Sequence, residues 1–207
     1  DRTGRTWGFN YSLRAVAPDF RAAAGFVNRT GIIDAEIFNR LSAYGKPGAL
    51  VQTWGAFFGI SRLYDYTFPV RGAFEGGETI FRSATLRGGW SLGGSVARNF
   101  FTFAPAAYAA HTVETTRPAA PPTPPFPLDT VPFLVPGPER GVFSGSLRVT
   151  TPTYRIFTLS ASLALGETVI FSEAAPGRNV RIGATLDLRP SSALRVAFQV
   201  NRLRITR

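Results

Sequence analysis

The sequence predicts an all-β chain that forms part of an antiparallel transmembrane β-barrel with about nine long strands. Bulky apolar residues alternate with small or polar ones, the alternating segments are long, and the connections between them are alternately short and long. Charged residues make up only 17% of the chain and aromatic residues 13%. No apolar run reaches the roughly 18 residues of a transmembrane helix, so a membrane crossing would have to use strands.

The alternation is clear in the second half of the chain. Leu159 and Leu163 alternate with Ser160 and Ser162, and the same pattern recurs along residues 178–189. Successive side chains of a strand point to opposite faces, so each segment has one apolar and one polar face. The predicted strands are residues 5–15, 31–44, 50–64, 77–89, 92–103, 141–151, 154–166, 178–189 and 193–205.

Most of these strands exceed the five or six residues typical of globular proteins, and they match the roughly nine to eleven residues of a tilted bilayer-spanning strand. The fourth and fifth are the least regular. Arg82 shares the parity of Ile80 and Ala84, and the series that begin at Val96 and Ala97 compete for the apolar positions. A bulge, or a start outside the hydrocarbon region, would explain either irregularity.

The connections give a second signal. The short ones are residues 45–48, 88–91, 151–153 and 190–192, and the long ones are about 16–30, 65–76, 104–140 and 167–177. Outer-membrane barrels have short periplasmic turns and longer external loops. We therefore expect the bacterial outer membrane as the location, with the first strand starting in the periplasm and the ninth ending outside.

An odd number of strands predicts an incomplete barrel. Complete barrels of this class have an even strand count and both ends in the periplasm. The chain ends Arg204-Ile205-Thr206-Arg207 without a terminal aromatic residue and has no initial Met. We therefore interpret residues 1–207 as one barrel segment, truncated at one or both ends. Other segments or subunits are expected to close its edges, because unpaired strand edges in hydrocarbon are costly.

Aromatic residues cluster near both predicted ends of the strands. Trp and Tyr favour the headgroup level of a membrane, although they are also common at strand ends of any sheet. Those near the short turns are Trp7, Tyr44, Trp90 and Tyr154, and those near the long loops are Tyr64, Tyr66, Phe103 and Phe171. Two bands at opposite ends favour the membrane interpretation.

The segment 104–140 contains ten of the 16 prolines and is interpreted as an external loop insertion. Proline cannot donate to a strand ladder and favours extended conformations. Two interpretations stay open: a surface loop that folds over the barrel mouth or meets a partner, and a disordered variable insertion.

The polar parity of the strands predicts a set of residues that line the barrel interior. They are Asn10, Arg14, Asp34, Glu36, Arg40, Arg148, Arg181, Asp187, Arg195 and Gln199. Arginine outnumbers acidic residues among them, which would favour anionic solutes in a water-filled lumen. The alternative, a closed set of ion pairs that plugs a narrow barrel, stays open.

The pattern Asp19-Phe20, followed by Gly25-Phe26-Val27-Asn28-Arg29-Thr30-Gly31, comes after an alternating strand. It resembles an uncharacterised family of bacterial outer-membrane β-barrel domains, usually found C-terminal to a module like family-9 carbohydrate-binding domains. The similarity extends loosely to about Tyr66, and the later chain matches only in style. The resemblance implies an outer-membrane location and, at most, binding or passage of extracellular material such as a saccharide; it supplies no catalytic residues.

The residue types argue against catalysis and against bound cofactors. His111 is the only histidine, and its neighbours Thr112, Val113 and Glu114 do not form a pattern typical of a Ser/His hydrolase. We see no metal-ligand spacing and no phosphate-binding fingerprint among the glycine pairs, and the chain has no cysteine. Its net charge of +10 comes from scattered arginines, so no nucleic-acid patch is indicated.

Three functions are thus weighed. The first is a non-catalytic outer-membrane barrel that acts as a pore, receptor or membrane anchor, with outer-membrane lipid as its partner. The second is a soluble β-sandwich or lipocalin-like binding module, whose apolar residues would be buried in a core. The third is an outer-membrane hydrolase that depends on His111.

Overall fold

The computed structural model describes residues 1–22, 29–116 and 128–207, and within them the chain is all-β. Short 3₁₀ turns lie at Pro69–Arg71, Pro105–Tyr108 and Phe171–Glu173, and the described residues contain no α-helix. The strands are β1 (Trp7–Val16), β2 (Ile32–Tyr44), β3 (Val51–Asp65), β4 (Ala73–Leu86), β5 (Ser91–Phe101), β6 (Thr112–Thr116), β7 (Leu128–Pro132), β8 (Glu139–Thr150), β9 (Phe157–Ile170), β10 (Ala175–Leu188) and β11 (Val196–Thr206).

Nine strands form one antiparallel sheet in the order β1-β2-β3-β4-β5-β8-β9-β10-β11. Strands that follow one another in the sequence pair in the sheet, with one exception. β5 pairs with β8, and the hairpin β6–β7, which lies between them in the sequence, forms a separate two-stranded sheet. The sheet is not closed, since no ladder joins β1 to β11 within the described residues. The predicted antiparallel all-β architecture is therefore confirmed, whereas this chain alone does not form a closed barrel.

All nine predicted strands are present, with ends shifted by a few residues. The connections define two ends of the sheet: the turn end, with residues 45–50, 87–90, 151–156 and 189–195, and the loop end, with residues 17–31, 66–72, 102–138 and 171–174. The predicted long connection at 167–177 is wrong. Thr168, Val169 and Ile170 continue β9 in register with β10, because β-branched residues favour strands, and Pro176 is accommodated opposite Val169. A tight turn follows, in which Ala174 has a φ of 46°.

The Pro-rich segment contains a hairpin that the sequence did not predict. Thr112–Thr116 pairs with Leu128–Pro132, and Pro132 ends the second strand, where a missing N–H costs least. Most of the prolines of this segment fall at 117–127, outside the described residues.

The strand register divides the sheet into two faces. On the first, which we call the polar face, Glu36 lies opposite Ser61, Ser61 opposite Gly77, and Gly77 opposite Asn99. On the second, which we call the apolar face, Gly94 lies opposite Leu147, Leu147 opposite Leu163, and Leu163 opposite Ile182. Partners in directly paired positions share a face, so each face is continuous from β1 to β11.

The same register assigns the side chains of the two irregular strands, β4 and β5, to their faces. Val96 and Phe100 lie on the apolar face, and Ala97 lies on the polar face. Arg82 lies opposite both Ala56 and Gly94 in unbroken ladders, so no bulge occurs there and the side chain belongs to the apolar face. The register shifts lie instead at the two ends of the β3–β4 ladder, between Val51 and Thr53 and between Leu63 and Tyr64, and between Asn99 and Phe100 in the β5–β8 ladder.

The polar face is concave. Asp34 on β2 and Asn179 on β10 line one cavity of about 560 Å³. These strands are six positions apart in the sheet, which at about 4.8 Å per strand would separate them by about 29 Å if the sheet were flat. A single cavity reaches both strands because the sheet curls around its polar face.

Side-chain burial in the described residues is concentrated at the loop end. Phe103 is 2% exposed and packs edge-to-face with Phe101 and Tyr108, with ring centroids 5.2 Å and 5.9 Å away. The Tyr108 hydroxyl donates to the backbone carbonyl of Phe171 at 2.6 Å, which ties the Pro-rich segment to the β9–β10 turn. We call this group the loop-end cluster: Phe103, Tyr108 and Ala174, with Phe101, Phe133, Val135 and Val169 packed against them. It buries Phe103, which was predicted to belong to an aromatic band.

Within the described residues, no helix has the length and apolar character needed to cross a membrane.

Candidate functional site

The polar face collects the residues that the sequence predicted as a lining. Asn10, Arg14, Asp34, Glu36, Arg40, Arg148, Arg181, Asp187 and Gln199 all lie on it by register. Arg195 lies just before β11, and its side chain reaches Asp187. The strand parity read from the sequence therefore places these ten side chains on one side of the sheet, although it does not make them one cluster.

Ion pairs hold some of these side chains near the surface of the polar face. Arg14 pairs with Asp34 across β1 and β2 at 3.1 Å. Arg195 bonds Asp187 through two nitrogens, with Nε 2.8 Å from Oδ2, and Arg189 lies 3.4 Å from the same carboxylate. This hydrogen bond and the attraction of the carboxylate raise the pKa of Arg195 above its ordinary value. The arginine side chains of both pairs are more than half exposed, so the pairs do not plug the concave side.

Two other arginines are held by neutral partners. Arg40 donates to the carbonyl of Gly4 at 2.6 Å, which fixes the N-terminal segment across the turn end, and its buried Nε has no partner among the described atoms. Arg148 donates from Nε to the Ser160 hydroxyl at 3.2 Å. Both side chains are thereby oriented along the polar face without an acidic partner.

The cavity of about 560 Å³ on the polar face lies toward the loop end and has a mixed lining, to which Leu63, Phe101 and Val142 contribute apolar side chains. Asp34, Glu36 and Glu75 supply carboxylates, and Asn99 and Asn179 supply amides from strands on either side. Glu75 was missed by the sequence analysis because residues 65–76 were predicted to be a long connection, whereas Glu75 lies inside β4. With Glu75 counted, carboxylates concentrate at the loop end, and the expected excess of arginine does not hold there.

Small hydroxyl and glycine residues cover the polar face from β5 to β10, whereas Phe38, Phe57 and Phe81 lie on this face in β2, β3 and β4. Ser95 and Ser146 share a hydrogen bond of 2.7 Å across β5 and β8, and Thr150 and Ser160 share one of 2.8 Å across β8 and β9. Gly183 continues this surface opposite Ser162. Such side chains satisfy one another locally and leave the concave space to solvent rather than filling it.

His111 lies beside the loop-end cluster rather than on the polar face. Its ring lies 5.4 Å from that of Tyr108 and 6.3 Å from that of Phe133. Among the described residues, no side-chain hydrogen bond joins its imidazole to a carboxylate or hydroxyl. The described part of the chain also contains no group of three or more acidic or histidine side chains placed to hold a metal ion.

The apolar face presents large hydrophobic side chains to its surroundings. Leu147 is 65% exposed, Val200 64% and Ile182 50%, and each lies mid-strand rather than in a loop. No second sheet or helix in the described residues packs on this face. An apolar surface of this extent in a monomer marks contact with lipid or with another protein.

No protein-family model, curated protein or solved structure matches this chain significantly.

Proposed function

We propose that the chain forms part of the wall of a bacterial outer-membrane β-barrel, with its apolar face in contact with lipid and its polar face lining a water-filled interior. The proposed role is that of a non-catalytic pore, receptor or membrane anchor. One observation carries the proposal: the apolar face runs across nine strands and stays exposed, while most residues of the opposite face are small or polar, with Phe38, Phe57 and Phe81 among its large apolar members.

The soluble alternative is disfavoured by the same observation. A β-sandwich or lipocalin-like module buries one face of its sheet against a second layer or inside a closed barrel. Here Leu147, Leu163 and Ile182 point away from the concave side, and the concave side carries mainly hydroxyls, amides and charges, with Phe57 and Phe81 among them. This inverted arrangement is the one that transmembrane barrels have, with apolar residues outside and polar residues inside.

Further strands are needed in this proposal. The edges of β1 and β11 present unpaired backbone groups, apart from Phe9, whose N–H and carbonyl bond to Arg2, and each unpaired group in hydrocarbon costs several kcal/mol. We therefore infer that strands from another part of the protein, or from a second subunit, pair with β1 and β11 and close the barrel. The curl of the sheet brings the two edges toward a common axis, as closure requires.

The lining supports passage or binding of a polar solute. At the loop end Arg14 pairs with Asp34 and Arg29 pairs with Glu75, so Glu36 and Glu167 are the lining carboxylates outside ion pairs among the described residues. Arg40 and Arg148 lie nearer the turn end and are held by neutral partners, so this part of the interior attracts anions. An extracellular saccharide is compatible with this lining and stays a prediction from the family resemblance.

The test is the dependence of the purified chain on detergent, at a concentration at which a second copy can pair with the edges of β1 and β11. We expect aggregation in plain buffer and a folded, β-rich species in detergent micelles or phosphatidylcholine vesicles, measured by circular dichroism and light scattering. In vesicles whose acyl chains carry bromine, fluorescence quenching should exceed that in unbrominated vesicles, because Trp54 lies on the apolar face. A monodisperse, folded chain in plain buffer would contradict the proposal.

A further inference from the structure

A basic pocket interrupts the apolar face at the loop end. This cavity of about 410 Å³ lies between β3, β4, β5 and the start of β8, and its lining includes Arg62, Glu78, Arg98, Phe100 and Arg140. Three guanidinium groups and one carboxylate make the pocket positively charged. We call it the arginine pocket.

The register explains why these side chains meet. Arg62 lies opposite Gly76, Gly76 opposite Phe100, and Phe100 opposite Arg140, so one row of the sheet carries them on the apolar face. Gly76 leaves room for the neighbouring ring, since a Cβ at this position would lie 3.1 Å from Phe100 and 2.3 Å from the Ser61 carbonyl oxygen. The Arg62 guanidinium then lies over the Phe100 ring, 5.3 Å from its centroid.

Two of the three arginines have their charge available. Glu78 forms an ion pair with Arg62, which neutralises one cation. Arg98 lies over the Phe143 ring at 5.7 Å and is exposed, and Arg140 is exposed beside it. Among the described residues no carboxylate pairs with Arg98 or Arg140. Guanidinium groups presented in this way match the geometry of phosphate oxygens.

An apolar groove lies directly below the pocket, toward the turn end. It has a volume of about 650 Å³ and is lined by Trp54, Ile80, Leu92, Val96 and Leu147, with Arg82 and small residues completing it. Gly94 forms part of its floor, because a Cβ there would lie 3.1 Å from Leu147. Val96 is two residues from Arg98 along β5, a distance of about 7 Å, so pocket and groove adjoin on the same strands.

We propose that this surface binds a phosphate-bearing lipid, with the phosphate in the arginine pocket and an acyl chain in the groove below it. The inference rests on the proposed function, because it requires the apolar face to lie in a membrane. The cationic pocket lies toward the loop end and the apolar groove lies toward the turn end. A lipid headgroup and its hydrocarbon chain follow each other in the same order across a membrane leaflet. In the proposed orientation the loop end faces outward, where the membrane leaflet contains lipid A with its phosphates.

In the test, diphosphorylated lipid A is titrated into the chain in zwitterionic detergent. The fluorescence of Trp54 is measured in the variant Trp7→Phe/Trp90→Phe, in which Trp54 is the remaining tryptophan. We expect saturable binding that weakens about 25-fold in Arg98→Gln/Arg140→Gln, since each arginine near an anionic lipid surface contributes about fivefold. The matched control is Arg148→Gln/Arg181→Gln, which removes the same charge from the polar face and should change the affinity less than twofold.

Four outcomes would overturn the inference. Two concern specificity: equal weakening in both double variants, or unchanged binding of dephosphorylated lipid A with the same acyl chains. The other two are displacement of the lipid by inorganic phosphate that saturates the site at millimolar concentration, and the absence of any saturable binding. Insertion into neutral phosphatidylcholine vesicles is measured in parallel. If the chain inserts but does not discriminate lipid A phosphates, only the lipid site fails; if it does not insert, the membrane proposal fails as well.

Discussion

The two faces of the curled sheet are built from the same strands but from different side chains. On β9, Leu159, Leu163 and Leu165 point to the apolar face, while Ser160 and Ser162 point to the polar face. Both sets are accessible, yet only the polar set forms hydrogen bonds across strands. The sheet is therefore suited to two different surroundings, and its stability depends on what contacts each face.

The loop-end cluster differs from both faces because its side chains are packed by other protein groups. Phe103 is almost completely buried there, whereas Phe58 on the apolar face is 37% exposed. A side chain packed by protein leaves a cavity when it is truncated, but lipid chains move in to fill the space beside a truncated lipid-facing residue.

The largest effect is therefore expected in the cluster. Phe103→Ala should destabilise the packing of residues 102–116 and 128–138 on the sheet by about 3–5 kcal/mol, because a fully buried phenylalanine is lost. Hydrogen exchange of the amides around Tyr108 measures this local effect. Phe58→Ala is the control on the apolar face and should cost less than half as much; equal costs would mean that protein, not lipid, covers Phe58.

A charge placed on the apolar face gives the next largest effect. Leu163 has apolar partners on both sides, Leu147 and Ile182, so Leu163→Arg should lower the free energy of unfolding in vesicles by about 2–4 kcal/mol. Thr185→Arg on the polar face has the neutral partners Ser160 and Gln199 and should change it little. Denaturant titration followed by circular dichroism measures the free energy of unfolding of both variants. If neither face contacts lipid, the two variants should lose the same free energy.

Removing a charge from the apolar face should raise the free energy of unfolding, whereas adding a charge lowers it. Arg82 lies between Ala56 and Gly94 on this face, and Arg82→Leu should stabilise the chain in vesicles by about 1–2 kcal/mol, the cost of an arginine between the bilayer midplane and its interface. Arg148→Leu on the polar face loses its bond to Ser160 and should not stabilise. The same denaturant titration measures both, and destabilisation by Arg82→Leu would argue that this face meets water.

The smallest effect tests a single hydrogen bond of the cluster. Tyr108→Phe keeps the packed ring and removes the hydroxyl that donates to Phe171, so it should cost about 1 kcal/mol. Protease cleavage within residues 102–138 is the readout, and it should rise much less than in Phe103→Ala. A rise as large as that of Phe103→Ala would mean that the bond, rather than the packing, holds the loop.

The strands and their faces were predictable because the signal is local. Period-two alternation along residues such as Leu159 to Leu165 requires no knowledge of partners, and tertiary pairing then preserved it in register across nine strands. The β9–β10 turn was mispredicted because Pro176 and the nearby glycines indicate a loop when the register that holds them is unknown.

The pocket and the cluster depend on partners distant in sequence. Arg62 and Arg98 lie at apolar-face positions of β3 and β5, and only the register of the sheet shows that they meet around Gly76 and Phe100. Phe103 was assigned to an aromatic band because its burial depends on Tyr108 and the β9–β10 turn. Residue type alone therefore predicted the faces, whereas these sites required the register of the whole sheet.

Single cysteines test the difference between the faces most directly, because the natural chain has none. Ser162→Cys and Gln199→Cys lie on the polar face, and Leu163→Cys and Val200→Cys are their neighbours on the apolar face; all four positions are exposed. With the chain in phosphatidylcholine vesicles, a water-soluble maleimide should label the polar-face cysteines quickly and the apolar-face cysteines at least tenfold more slowly. Equal labelling of neighbouring positions would contradict the placement of the apolar face in lipid.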